Sequence, residues 1–311
     1  MGALKIKKAL VLPGGGGWGR VQASALYSLH NAGVLDGIDA IFSNSAGSLN
    51  AALYCVGLMG GLGANLNKEA WLNIGANTDI ISPDFIPIAE NPAAHPFAIS
   101  AMVAGVCFGH SAFDTSALRA MVKKYTGTMT TTDLEAKLGL IWRAVCYDNN
   151  RGCGRLLNGM LYHMAVASSS IEVAFPAWLG MSDGGPVANC PAQAAIASGA
   201  EQIAVIYCGS EGPQPNAEPL WLDEKTSEPR LLARDVAGSL LGNLTTINEA
   251  QAEISLQRAQ SAGVQVVECY SRTPIQGSIL QFVDPGNVRW DQGTAAAALA
   301  IADARTLGWI K

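Results

Sequence analysis

KALVLPGGGGWGR, residues 8–20, is the stretch from which the fold can be read. Lys8 to Leu12 is a short apolar run closed by Pro13 and four glycines, the pattern of a buried central strand. From Val21 to Ala32 the apolar residues Val21, Ala25, Leu26 and Leu29 fall at helical spacing, and Gly33 ends the run. Ile38 to Phe42 reads as a second strand, and a second helix is expected from Gly47 onward. Strand, glycine turn, helix, strand, sharp turn, helix predicts a right-handed crossover and a parallel sheet covered on both faces.

Working outward, Thr115 to Tyr125 reads as a helix, Leu138 to Tyr147 as a strand and Ala165 to Ser170 as helical. Gln202 to Cys208 is a further buried strand, Ser210 to Pro229 a surface loop rich in proline and charge, and Leu231 to Ala262 a long helix. Gly263 to Tyr270 reads as a strand and Gln292 to Leu307 as a closing helix. Pro83, Pro87, Pro92 and Pro96 break the irregular middle. No repeat and no long linker divides the chain, so residues 1–311 are expected to form a single α/β domain. Its mostly parallel central sheet should be flanked by helices on both faces.

The totals agree. Of 311 residues, 49% are hydrophobic and 14% charged, enough to bury a sizeable core. The net charge is −5, and no lysine or arginine block appears, which argues against a nucleic-acid partner. Seven cysteines without a C-x-x-C pair, beside four histidines, read as free and mostly buried thiols in a reducing compartment, with no metal implied. MGALKIKKALVLPGG lacks the long apolar region and cleavage site of a signal peptide. Ala46 to Ala64 is uncharged but contains Gly57, Gly60, Gly61 and Gly63 and reads as a buried helix and loop rather than a membrane span. A cytoplasmic location is expected.

A strand that runs into glycines and then a helix presents backbone N–H groups at the positive end of that helix. Either a phosphate or the oxyanion of acyl transfer fits there. The P-loop pattern fails, because Gly19 is followed by Arg20 and Val21 rather than by Lys and Ser or Thr. The dinucleotide pattern can be forced onto the glycine run, with Asp36 or Asp39 as the acidic partner, but a run of glycines matches many patterns.

Acyl transfer needs a nucleophile and a base. Ser45 in SNSAG, residues 43–47, stands between a strand and a helix, the setting of a nucleophile elbow, although Ser43 replaces the first glycine of G-x-S-x-G. The competing reading makes Ser43 and Ser45 helix caps. None of His30, His95, His110 and His163 lies in the C-terminal third, where the base of a Ser-His-Asp hydrolase belongs. Asp183 in SDGGPVANCP is the acidic residue with unusual neighbours: two glycines place it on a tight turn where its carboxylate can approach another segment. An ordinary Asp-Gly turn is the alternative.

Several stretches in order resemble the patatin-like phospholipase family. PGGGGWG, residues 13–19, is similar to its glycine loop G-G-G-x-[KR]-G, and SNSAGSLNAAL, residues 43–53, to its elbow and following helix. FDTSALR, residues 113–119, resembles a family segment of similar composition. ASSSIEVAFP, residues 167–176, resembles its serine-rich stretch, and DGGPVANCPAQAA, residues 183–195, its D-G-[GA] motif with the N-x-P that follows. DPGNVRWDQGTAAAALA, from residue 284, looks like its closing helix.

The resemblance implies a three-layer α/β/α fold and a dyad, with Ser45 as nucleophile, Asp183 as general base, and the N–H groups of Gly15, Gly16 and Gly17 as oxyanion hole. It implies a carboxylic ester hydrolase acting on lipid acyl esters, without cofactor. An acyltransferase or thioesterase would use the same dyad, and a disabled lipid-binding protein would keep the fold alone. Trp18 stands where the family has a basic residue, with Arg20 two positions on; Trp18, Arg20 and Asn44 are candidates for substrate contact. PFAISAMVAGVCFG, from residue 96 to 109, is too short to span a bilayer and is either a buried helix or a lid with transient membrane contact.

Overall fold

The computed structural model describes residues 6–76, 79–80, 114–171, 175–210, 250–275 and 281–311. The strands are β1 (Lys8–Leu12), β2 (Ala40–Ser43), β3 (Ile141–Asp148), β4 (Cys153–Leu157), β5 (Met181–Asp183), β6 (Gln202–Ser210) and β7 (Gln265–Ser271). The helices are α1 (Gly19–Asn31), α2 (Ala46–Met59), α3 (Asn65–Leu72), α4 (Ser116–Thr126), α5 (Thr131–Leu138), α6 (Leu161–Ser168), α7 (Gly185–Ala188) and α8 (Ala192–Ala197). Residues 250–261 form α9, and α10 runs over Val288–Thr306.

The sheet order is β4-β3-β2-β1-β6-β7, with β5 paired to β3. The five strands from β3 to β7 along that path are parallel, whereas β4 and β5 run antiparallel to β3. Alternation along β1 sorts its side chains by face. Leu10 and Leu12, with Ile41, join a core formed with α1, α2 and α10. Ala9 and Val11, with Ala40 and Phe42, pack against Ala192 and Ala195 of α8 and Ala252 and Leu256 of α9. Helices therefore cover both faces, as the crossover pattern predicts. Segments 96–109 and 211–249 lie outside the described residues, and with them the candidate lid, the proline-rich loop and most of the long helix. Among the described residues, six cysteines are free thiols, five of them buried. No helix among them is long and apolar enough to cross a membrane.

Several elements differ from the sequence reading. Asp183 ends strand β5 instead of lying within a turn; Gly184 turns the chain after it and Gly185 opens α7. β4 is an edge strand, CGRLL, with too little apolar alternation to announce itself. α5 opens on a capping box in which Thr130 accepts from the Asp133 N–H and Asp133 accepts from the Thr130 N–H. Its short TTDLEAKL run carries few apolar residues.

Candidate active site

β1 and β2 end side by side, so the loops that follow them meet at one edge of the sheet. Asn44 and Ser45 link β2 to α2, and the Ser45 backbone stands at φ 50°, ψ −124°. A positive φ is rare for a residue with a side chain and costs on the order of 1–3 kcal/mol, so its surroundings must hold it there. The Ser45 N–H donates to Ser168 Oγ at 3.0 Å, and Ser169 Oγ donates to the Ser45 carbonyl at 3.1 Å. Gly47 lets the turn close on β1: a Cβ there would fall 2.0 Å from the Leu12 carbonyl oxygen.

The glycine run answers to its neighbours. A Cβ on Gly14 would lie 2.9 Å from the Ser45 Cβ and 2.6 Å from Asn189 Oδ1. One on Gly15 would lie 2.2 Å from the Cys208 Cβ. Gly16 takes φ 54°, the left-handed region that favours glycine. The Gly14 N–H donates to the Asn189 carbonyl at 3.2 Å, and the Trp18 N–H to the Gly15 carbonyl at 3.1 Å. Between them, the N–H groups of Gly15, Gly16 and Gly17 lie on the loop that passes Ser45.

Sheet register carries Asp183 to the same place. On one side of β3, Ser43 of β2 pairs with Ala144, and β2 ends there. On the other side β4 occupies Ala144 to Asp148. β5 also pairs with Cys146, Tyr147 and Asp148, so it lies on the β2 side, continuing the line that β2 leaves. Asp183 faces Cys146, two residues past the partner of Ser43. That is where the chain after Ser43 turns through Ser45. Asp183 donates its N–H to the Ser170 carbonyl at 2.8 Å, and its Oδ1 accepts from the Gly185 N–H at 2.7 Å. Burial pushes the Cys146 thiol up, and the negative charge of Asp183 adds to the shift.

The other candidates are placed as follows. Asn44 is fully buried, and its side-chain amide donates to Asp183 Oδ1 and to Asn189 Oδ1, each at 3.3 Å. Trp18 is half-buried at the end of the glycine turn. Arg20 is buried; its guanidinium donates to the carbonyls of Trp71 and Ile74 and lies 3.8 Å from Asp284. Burial lowers its pKa, against the pull of Asp284 and with the push of nearby Arg289. The structure thus brings Ser45, Asn44, the glycine loop and Asp183 together, while the described contacts of Arg20 run to α3 and to the start of α10. Ser168, Ser169 and Asn189 are not among the candidate site residues read from the sequence; the serine run in ASSSIEVAFP and the N-x-P after Asp183 carry the available signal. Among the described residues, no group of His, Cys, Asp and Glu is gathered as a metal site.

A model of the patatin-like phospholipase family matches residues 10–196, and the chain belongs to that family, whose members generally hydrolyse lipid esters. A search of curated proteins found no match. Among solved structures the chain is similar to VipD from Legionella pneumophila, with 10% identity over 96% of this chain and 67% of that one, at a TM-score of 0.41.

Proposed function

We propose that the protein is a lipid acyl hydrolase that cleaves carboxylic esters through an acyl-enzyme on Ser45. The observation that carries this reading is the register that sets Asp183 in line with β2, beside a serine held at positive φ. Ser45 Oγ attacks the ester carbonyl carbon and its proton passes to the Asp183 carboxylate. The N–H groups of Gly15, Gly16 and Gly17 receive the negative oxygen. The tetrahedral intermediate collapses, the alkoxide leaves with the proton from Asp183, and the acyl group stays on Ser45. Water then gives a proton to Asp183 and attacks the acyl carbon, and the proton returns to Ser45 as the acid departs. The Ser45 N–H donates to Ser168 and the Gly14 N–H to Asn189, so these two are already used, while Gly15, Gly16 and Gly17 keep the oxyanion role that the family resemblance implies.

The test is fluorophosphonate labelling located by mass spectrometry, with turnover of p-nitrophenyl esters of several chain lengths. Ser45→Ala is expected to abolish labelling and turnover. Asp183→Asn should cut turnover by about a thousandfold or more, the scale on which a base and nucleophile act as a unit. Labelling at another residue, or turnover in Ser45→Ala, overturns the assignment.

A further inference from the structure

We propose that a relay of buried hydroxyls from Trp142 through Ser43 and Ser48 to Ser168 holds Ser45 in its attacking geometry, and that Ser43, Ser48 and Ser168 are positioning residues. The proposal rests on the reading of Ser45 as the nucleophile.

The Ser45 N–H is held by Ser168 Oγ, and the Ser45 carbonyl lies 3.1 Å from Ser169 Oγ, whose one proton it shares with the Ala165 carbonyl at 2.8 Å. Ser168 can accept from Ser45 only if its own proton points elsewhere. That proton goes to the Val145 carbonyl, 2.7 Å away, which can only accept. Ser168 Oγ and Ser48 Oγ are 2.8 Å apart, so Ser48 must donate. With its proton used, Ser48 accepts from Ser43 at 2.9 Å. Ser43 in turn accepts from Trp142 Nε1, a donor only, at 2.8 Å. Every link has one orientation, and each bond polarises the next. Trp142, Ser43, Ser48 and Ser168 are all 0% exposed, so solvent does not stand in for a missing member.

This gives Ser43 a reason to be there. At the first position of the elbow a glycine would satisfy the turn, but it would leave the Trp142 N–H without its acceptor and Ser48 without its donor. Replacing Ser43 by the glycine of G-x-S-x-G should therefore weaken this elbow rather than improve it.

The experiment uses the full chain with Ser168→Ala, Ser43→Gly and, as a control, Thr126→Ala. The Thr126 hydroxyl is also buried and bonds the Val122 carbonyl at 2.9 Å, within α4. The readouts are kcat and KM on a p-nitrophenyl ester, the rate of fluorophosphonate labelling at Ser45, and the urea midpoint. Ser168→Ala is expected to lower kcat and labelling rate by about a hundredfold, the scale of a small misplacement of a reacting group, and Ser43→Gly by about tenfold. KM should move by less than about threefold in both. Thr126→Ala should lose stability while keeping kcat, which separates positioning from general weakening. If Ser168→Ala does not fold, Ser43→Gly decides alone. Wild-type kcat in the folded variants overturns the relay and leaves Ser45 as the nucleophile. Absence of labelling at Ser45 in the wild type removes the nucleophile itself, and the relay's role with it.

Discussion

The side-chain amide of Asn44 donates a 3.3 Å hydrogen bond to Asp183 Oδ1, across 139 residues of sequence. One residue before the proposed nucleophile thus touches the proposed base, so the elbow and the end of β5 cannot shift independently. The Asn44 Oδ1 on the other arm of the amide is buried without a partner among the described residues.

Asn44→Ala should therefore act on rate more than on stability. It removes a bond to a carboxylate, of the kind that contributes about 1.5–3 kcal/mol, and removes a buried oxygen that lacks a partner. The expected result is a fall in kcat of roughly ten- to a hundredfold with little change in urea midpoint. An unchanged kcat would mean that Asp183 is held in place without Asn44.

Gly47→Ala should prevent closure of the elbow on β1. The new Cβ would meet backbone, the Leu12 and Pro13 carbonyl oxygens, at 2.0 and 2.6 Å, and backbone does not rotate away. A loss of at least about 3 kcal/mol is expected, the upper range for overpacking. Gly75→Ala, where nothing lies within 4 Å of the new Cβ, is the matched control and should be near neutral.

Arg289→Met should loosen the glycine loop from behind. The buried guanidinium of Arg289 donates to the Gly17 carbonyl at 3.5 Å and also to the Gln281 carbonyl. Burial pulls its pKa down, and Asp284 offsets part of that shift. Leaving buried carbonyls short of a donor costs about 1–3 kcal/mol each, so the urea midpoint should fall clearly while Arg305→Met, on the exposed side of the same helix, stays within about 0.5 kcal/mol.

His30 should make stability depend on pH. Burial holds its imidazole below the ordinary value of 6.5, with Asp36 pulling weakly the other way. The unfolded chain then takes up the proton more readily than the folded one. Stability from this group is full above pH 6.5 and is lost as pH falls from there toward the lower folded value. Urea unfolding at about pH 7.5 and about pH 5 should show a larger drop for the wild type than for His30→Gln. Equal drops would assign the pH dependence to other groups.

Much of the fold could be read from β1, α1, β2 and the elbow because those segments carry strong local signals. These are an apolar run, helical spacing, and glycines where backbone meets backbone. Ser45 and Asp183 stand out in the sequence for a similar reason, each being followed by small residues, Ala46 and Gly47 after one and Gly184 and Gly185 after the other. What the sequence did not show depends on pairing between distant strands. β5 is three residues long and has no periodicity of its own, so its place in line with β2 appears only when β3 is seen to bind β4 on its other side. Arg20 reads as a cation for the glycine loop, yet its partners Trp71, Ile74 and Asp284 lie 51 to 264 residues away, beyond any local pattern. Ser43 looks like a departure from a motif until Ser48 and Trp142 are placed beside it.

The contact between Arg289 and Gly17 also sets an order in time. A growing chain that has emerged through residue 210 holds Ser45, Asp183 and the glycine loop, but α10 is still to be made. Residues 211–311 take roughly 5–20 seconds to synthesise at ordinary rates. For that interval α1 lacks the helix whose Gly293 nestles against the Val21 carbonyl, and the loop lacks the Arg289 guanidinium behind it. A helix made 272 residues after Gly17 thus completes the support of the glycine loop.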